Sequence, residues 1–191
     1  MGKRISEMSL TELWGLFPIF LVKPNDRWTE WYKEQERAIF AALTGICFRL
    51  SHVGSTAIKG IWAKNIIDML LEVDSAKDLP IVAQKMAEIG YLVMSSAPDR
   101  ISLNLGYTEQ GFAEKVYHLH LRVKGDHDEL YFRDYLNDHP DVAKEYESLK
   151  LHLWKKYEHD RDGYTAAKGD FIKKITALAK KEYAGRYAEK Q

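Results

Sequence analysis

Apolar residues recur at helical spacing toward both ends of the chain and alternate or cluster in its middle. Ser9-Leu10-Thr11-Glu12 has the signature of a capping box, which predicts a short helix carrying Leu13, Trp14 and Phe17 and stopped by Pro18. Residues 18–23 are expected to be extended. After Pro24-Asn25-Asp26, a helix of about 18 residues should run toward Leu43, with Trp28, Trp31, Ile39 and Ala42 on its buried face. Gly45 stands where a C-terminal glycine belongs. Residues 46–53 alternate, with Ile46, Phe48 and Leu50 on one side and Cys47, Arg49 and Ser51 on the other, which predicts a strand. A loop over 54–65 follows. The run 66–73 is apolar but for carboxylates, as expected of a central strand covered on both faces. Ser75 and Asp78 form a second capping pattern, opening a helix that ends at Gly90. Strands are predicted over 91–96, 101–107 and 113–123, with Pro98-Asp99 and Glu109-Gln110-Gly111 in the turns.

From Glu129 onward the pattern is helical: 129–138, 141–158 and 164–183, broken by His139-Pro140 and Asp160-Arg161-Asp162-Gly163. Helices, then mixed strands with one crossover helix, then a helical end predict an α+β fold rather than a repeating βαβ one. The expected organisation is a core over 1–128 and a C-terminal helical segment over 129–191, packed together as a single compact unit.

Composition narrows the function classes. The 191 residues include 28 basic and 28 acidic side chains, so the net charge is zero. That excludes a globally basic nucleic-acid coat and an acidic tail protein. With 46% hydrophobic and 29% charged residues the chain is ordinary soluble material. A chain of this length buries roughly 70% of its unfolded surface without staples. Cys47 is the only cysteine, which excludes an internal disulfide framework and a multi-cysteine zinc site and fits a reducing cytoplasm. Inside the predicted strand it reads as inert packing. No apolar run approaches the roughly 20 residues of a spanning helix, and no signal core follows the N-terminus. Met1-Gly2-Lys3-Arg4-Ile5-Ser6 fits the loose myristoylation pattern, but no polybasic patch or cysteine sits nearby to supply the second anchor that stable attachment needs. A cytoplasmic protein without a membrane partner is expected.

Two segments carry candidate chemistry. In the first, a strand ends at His52-Val53-Gly54-Ser55-Thr56 and a carboxylate, Asp68, stands on the next strand. Glycine lets backbone approach a phosphate, and exposed amides with a serine hydroxyl bind its oxygens. An Asp on the adjacent strand can hold Mg²⁺ against the same phosphates. The pattern also fits a plain tight turn followed by a strand-end Asp, although a charge in a central strand is expensive without a partner or a metal. In the second, His118-Leu119-His120 places two imidazoles on one strand face, suited to metal or phosphate or simply to hydrogen bonding within a half-buried face. His52 is a third histidine candidate. His127, His139, His152 and His159 are expected at the surface. Arg49, Lys64, Arg133, Lys150 and Lys168 are the basic candidates, with Asp134 as a ready salt-bridge partner for Arg133 and the two helical lysines expected to be solvated. Ser55 lacks the Gly-x-Ser-x-Gly elbow of a nucleophile.

His52-Val-Gly-Ser-Thr-Ala57, Ala63-Lys64 and Ile66-Ile-Asp68 closely resemble the signature of the GrpB family. The resemblance extends through Leu13-Trp14-x-x-Phe17-Pro18, Leu105-Gly-Tyr-Thr108, His118-Leu-His120, Tyr131-Phe-Arg-Asp-Tyr-Leu136 and Tyr146-x-x-Leu149-Lys150, to Tyr164 and Lys168. It implies the polymerase-β-like nucleotidyltransferase fold: a mixed sheet, flanking helices and a C-terminal helical segment. The superfamily pattern is apolar-Gly-[Gly/Ser], a spacer, then Asp-apolar-[Asp/Glu]. Here Val53-Gly54-Ser55 and Asp68-Met69 match, but the second carboxylate position holds Leu70. Glu72 shares that strand face yet is displaced by about 13 Å from Asp68, and the later strand offers His118 and His120 in place of a third acid.

The resemblance therefore implies a divergent nucleotidyltransferase or phosphoryl-transfer enzyme. Gly54, Ser55 and Thr56 would hold the nucleotide, with Lys64 and Arg133 neutralising charge, and Asp68, His118 and His120 would hold a catalytic metal. Mg²⁺ or Mn²⁺ is the expected ion, and a histidine-containing set also admits Zn²⁺. The competing reading, favoured by Leu70, is a non-catalytic module for a nucleotide or other small phosphorylated ligand. The occurrence of relatives fused to dephospho-CoA kinase points to such a ligand by association only. A protein adaptor is a third reading, which requires Trp28, Trp31 and Trp62 exposed as one patch. Nucleic acid is not favoured as a partner; Lys173, Lys174, Lys180 and Lys181 fit a solvated helix face.

Overall fold

The computed structural model of the chain describes residues 7–125 and 127–187, so the Met1–Ser6 pattern lies outside the described residues. The first capping box forms as its residues demand. Ser9 Oγ accepts from the Glu12 amide and the Glu12 carboxylate from the Ser9 amide, starting α1 (Leu10–Leu16). Helix α2 (Arg27–Ala42) buries Trp28, Trp31, Gln35 and Ile39. Strand β1 (Phe48–Val53) then leads through a single 3₁₀ turn, Ser55–Ala57, to β2 (Ile67–Val73). Helix α3 (Asp78–Glu88) crosses to β3 (Leu92–Ala97), β4 (Arg100–Thr108) and β5 (Gly111–Val123). The remainder is helical: α4 (Asp128–Asp138), α5 (Pro140–Lys156), α6 (Arg161–Ala167) and α7 (Gly169–Glu182).

The strands form one mixed sheet in the order β1-β2-β5-β4-β3, parallel only between β2 and β5. Strand β2 is thus paired on both edges. Its two faces meet different partners, because side chains alternate across a strand. Ile67, Met69, Leu71 and Val73 join Leu119, Leu121 and Leu103 in the main core, closed by Trp28 and Trp31 of α2 and Leu79, Val82 and Met86 of α3. The other face reads Asp68, Leu70, Glu72 beside His118, His120, Arg122, and it is roofed by the C-terminal helices. That roof has a core of its own around Tyr131, Phe132, Tyr135, Tyr146, Ile175 and Ala179. Leu70 is the contact point between sheet and roof, packed with Val53 and with Leu130 of α4.

Several local expectations need correction. Ser75 makes no capping box; its hydroxyl accepts from the Lys77 amide in a tight turn and the helix starts at Asp78. The break before the next helix falls at 157–160, earlier than expected, because Asp160 caps α6 by accepting from the Gly163 amide at 2.8 Å and Arg161, Asp162 and Gly163 form its first turn. The expected helix 164–183 is two helices meeting at Lys168. Cys47 is exposed and precedes β1. Trp28 and Trp31 are buried, so no surface tryptophan patch supports the adaptor reading. His127 is not a surface residue. It shares the fully buried Glu72 carboxylate, at 2.8 Å, with Arg49, whose Nε and Nη2 lie 2.6 and 2.7 Å from the two oxygens. Glu72 is therefore a structural ion-pair centre, its charge compensated on both oxygens. Among the described residues no helix is long and apolar enough to cross a membrane.

Candidate functional site

The site grows from the end of β1. Gly54 adopts φ +69° and ψ −170°, a region open essentially to glycine alone, and a Cβ there would overlap the Asp68 carboxylate. Glycine is required here by both backbone and space, and it lets the turn close over Asp68. Asp68 sits in β2 opposite Val53 on one side and His118 on the other. His118 Nδ1 lies 3.1 Å from Asp68 Oδ1, and His118 Nε2 lies 2.9 Å from the Tyr107 hydroxyl. A carboxylate only accepts, so these partners assign the tautomer: Tyr107 donates to Nε2 and the Nδ1–H donates to Asp68. His120 Nε2 approaches the same Asp68 oxygen at 3.6 Å. Burial opposes ionisation of Asp68, but the bonds from His118 and His120 outweigh it and hold the carboxyl well below the usual range. Burial pushes His118 below the ordinary imidazole value, against the pull of Asp68.

Above Asp68, between sheet and helical roof, opens a cleft of about 660 Å³ whose lining includes Gly54, Ser55, Lys64, Asp68, His118 and His120. The roof contributes Phe132, Tyr146, Lys150, Arg161, Tyr164, Lys168 and Ile172. Among the described residues six cations line the cleft, of which Lys173 and Lys180 of α7 are exposed. The other four are buried or half-buried and come from four places: Lys64 from the loop before β2, Lys150 from α5, Arg161 from the start of α6, and Lys168 from the α6–α7 junction. They are arranged on tyrosines. Lys168 Nζ lies 4.3 Å and Lys64 Nζ 5.6 Å from the centre of the Tyr164 ring, and Lys150 Nζ lies 4.8 Å from that of Tyr146. Arg161 sits over Tyr107 at 5.7 Å. Lys150 donates to the Trp62 carbonyl and is 1% exposed. Burial and the neighbouring cations lower Lys64 and Lys150 to about 7; burial lowers Lys168 to about 8, with Asp68 opposing. The Tyr164 hydroxyl is buried beneath them with no partner among the described residues.

The predicted residues separate into two groups. Gly54, Ser55, Lys64, Asp68, His118 and His120 line the cleft together. Thr56 and Arg133 do not. The Thr56 hydroxyl is buried, donating to the Ile66 carbonyl and 3.0 Å from His52 Nε2. Arg133 bonds the His52 carbonyl at 2.9 Å and pairs with Asp134, behind the turn rather than in the cleft. Lys150 and Lys168, expected to be solvated, are cleft cations. Arg161, Tyr146 and Tyr164 complete the set. A sequence signal for them exists: Tyr146 and Lys150, and again Tyr164 and Lys168, stand four apart, the spacing that sets two side chains on one helix face.

As a metal cage the trio does not fit. Both ring nitrogens of His118 are engaged by Tyr107 and Asp68, so it has no lone pair free for an ion. Leu70 fills the second carboxylate position and is fully buried under α4. Among the described residues no group of three or more His, Cys, Asp or Glu side chains is placed to hold a metal.

Comparison with known proteins places this geometry in context. The chain is 28% identical to the conserved protein GrpB from Enterococcus faecalis, whose crystal structure it matches with a TM-score of 0.74 over 86% of this chain and 99% of that one. Its fold also matches the Cid1 poly(U) polymerase bound to MgATP, with a TM-score of 0.51 and 12% identity, over 71% of this chain and 44% of that one. The fold is thus nucleotidyltransferase-like. A dephospho-CoA kinase of Mycolicibacterium paratuberculosis is 27% identical over 79% of this chain, which spans 43% of that protein. The glutamate-rich protein GrpB of Alkalihalophilus pseudofirmus is 36% identical over 163 residues, 82% of this chain and 93% of that one. With the family model for GrpB protein matching residues 18–178, the chain belongs to the GrpB family.

Proposed function

We propose that the chain binds a nucleotide or a similar small polyphosphorylated molecule in the cleft above Asp68. The observation that carries this reading is the convergence of Lys64, Lys150, Arg161 and Lys168 on one cavity, none of them in an ion pair with a carboxylate among the described residues. Burying several like charges together is unfavourable until an anion joins them. Phosphate oxygens are the acceptors that lysines and a forked guanidinium bind best. The Gly54-Ser55 turn presents backbone and a hydroxyl at the sheet end of the same cleft. Phe132, Tyr146 and Ile172 offer apolar surface for the organic part of the ligand.

The reading is tested by calorimetric titration with ATP, GTP and dephospho-CoA, beside Arg161→Ala and Lys168→Ala. Each variant should weaken binding by roughly tenfold or more, the worth of one charge-assisted contact. No binding across the panel, or binding indifferent to both substitutions, would refute it. A second reading, phosphoryl or nucleotidyl transfer, draws support from Asp68, an ionised carboxylate fixed by histidines at the cleft wall. Turnover of a bound nucleotide that disappears in Asp68→Asn would support it; tight binding with no turnover leaves the protein a binding module.

A further inference from the structure

We infer that the cleft takes its phosphorylated ligand in the metal-free form, with protein cations in the place that divalent ions would otherwise fill; this rests on the reading above. Three independent features point the same way. Too few donors come together to hold an ion among the described residues: His118 has both nitrogens engaged, Leu70 plugs the second carboxylate position with apolar packing against Leu130, and His120 is left beside Asp68. Of the acids that line the cleft, Glu129 pairs with Arg122 and Asp128 with Lys180, and Asp68 already shares Oδ1 between two imidazoles. Its other oxygen lies against Gly54.

The cations stand where charge neutralisation is needed. Lys64 and Lys168 both lie over the Tyr164 ring, and Arg161 reaches in beside Tyr107, so three cations from separate elements flank the Asp68–His118 pair. They repel one another: the charges of Lys168 and Arg161 bear on Lys64, and those of Lys168 and Lys64 on Lys150. A polyanion relieves that repulsion in proportion to its charge, and a bound Mg²⁺ would cancel part of the same charge before it arrived. The buried, unpartnered Tyr164 hydroxyl adds a neutral hydrogen-bonding group below the lysines, suited to an anionic oxygen and unsuited to ligating a hard divalent cation beside two ammonium groups. The arrangement thus selects for the most highly charged form of the ligand.

The test uses the intact wild-type chain and two probes, ATP and inorganic tripolyphosphate, titrated in EDTA and again in excess Mg²⁺ or Mn²⁺. Binding of both probes at full strength in EDTA is expected, weakened by about threefold or more when the metal occupies the phosphates. Asp68→Asn should hold affinity or improve it, because it removes an anion from the cleft wall, whereas Lys64→Met should weaken binding with and without metal. Binding that is silent in EDTA, appears with Mg²⁺ and is lost in Asp68→Asn would overturn the inference while leaving ligand binding itself intact. Silence in every arm would overturn the binding reading, and the inference with it.

Discussion

Leu70→Asp is the substitution that would write the missing acid back into the superfamily pattern, and the structure predicts that it fails. Leu70 is fully buried between Val53 of β1 and Leu130 of α4. Truncation alone, Leu70→Ala, should cost about 2–5 kcal/mol through lost apolar contact and the cavity left behind. An aspartate adds a carboxyl group at a site whose cross-strand neighbours are Ser51 and His120. It must either ionise there, at several kcal/mol, or stay protonated with a raised pKa. The combined loss, about 5 kcal/mol or more, is comparable with the whole stability of many domains. Urea unfolding followed by tryptophan fluorescence and far-ultraviolet circular dichroism, with and without millimolar Mg²⁺, measures it. The midpoint should fall in the order wild type, Leu70→Met, Leu70→Ala, Leu70→Asp, with no rescue by metal. A Leu70→Asp protein as stable as Leu70→Ala, and further stabilised by Mg²⁺, would refute the reasoning: one carboxylate would then suffice to assemble a cage.

Other expectations follow from the same geometry. Lys64, Lys150 and Lys168 have values lowered to about 7, 7 and 8 in the free protein, and a bound polyanion favours their charged forms. Affinity should therefore rise as pH falls from 9 through this window and level off below it, with protons taken up on binding; calorimetry in buffers of different ionisation enthalpy reads the uptake. The sign for folding is opposite. The unfolded lysines bind protons up to their ordinary value, so burial of these three costs stability below about pH 7 and progressively less as pH rises toward 10; the thermal midpoint of the ligand-free protein, followed over this range, reports it, with Asp68 and Glu147 pulling the other way. Gly54→Ala should lower stability by about 1–3 kcal/mol or more from backbone strain alone, and Asp68→Ala in the same chain should recover the part due to overlap with the carboxylate; thermal melts of Gly54→Ala, Asp68→Ala and the double variant separate the two terms. Arg49→Ala should cost about 3–5 kcal/mol by leaving Glu72 buried with His127 alone, whereas Arg49→Met with Glu72→Leu should cost far less; chemical denaturation decides.

Much of this molecule was legible in the chain. Capping residues, glycines at helix ends and the switch from helical to alternating spacing are local signals, and α1, α2, all five strands and the α+β order follow from them because each depends on neighbours within a few positions. The Gly54-Ser55 turn, Asp68 and the His118–His120 pair were equally visible as a motif. What the sequence could not set is pairing across the fold. Whether a histidine ligates, relays or merely holds a carboxylate depends on what meets its second nitrogen, and Tyr107 reaches His118 only through the β4–β5 register. Whether a helical lysine is solvated or buried depends on which way the helix docks. Lys150 and Lys168 became cleft cations because α5, α6 and α7 close over the polar face of the sheet, with Leu70 against Leu130 as the contact between layers. Arg133 and Thr56 moved out of the site, and Arg161, Tyr146 and Tyr164 into it, for the same reason. Spacing fixes which residues share a face, but only tertiary packing decides what that face meets.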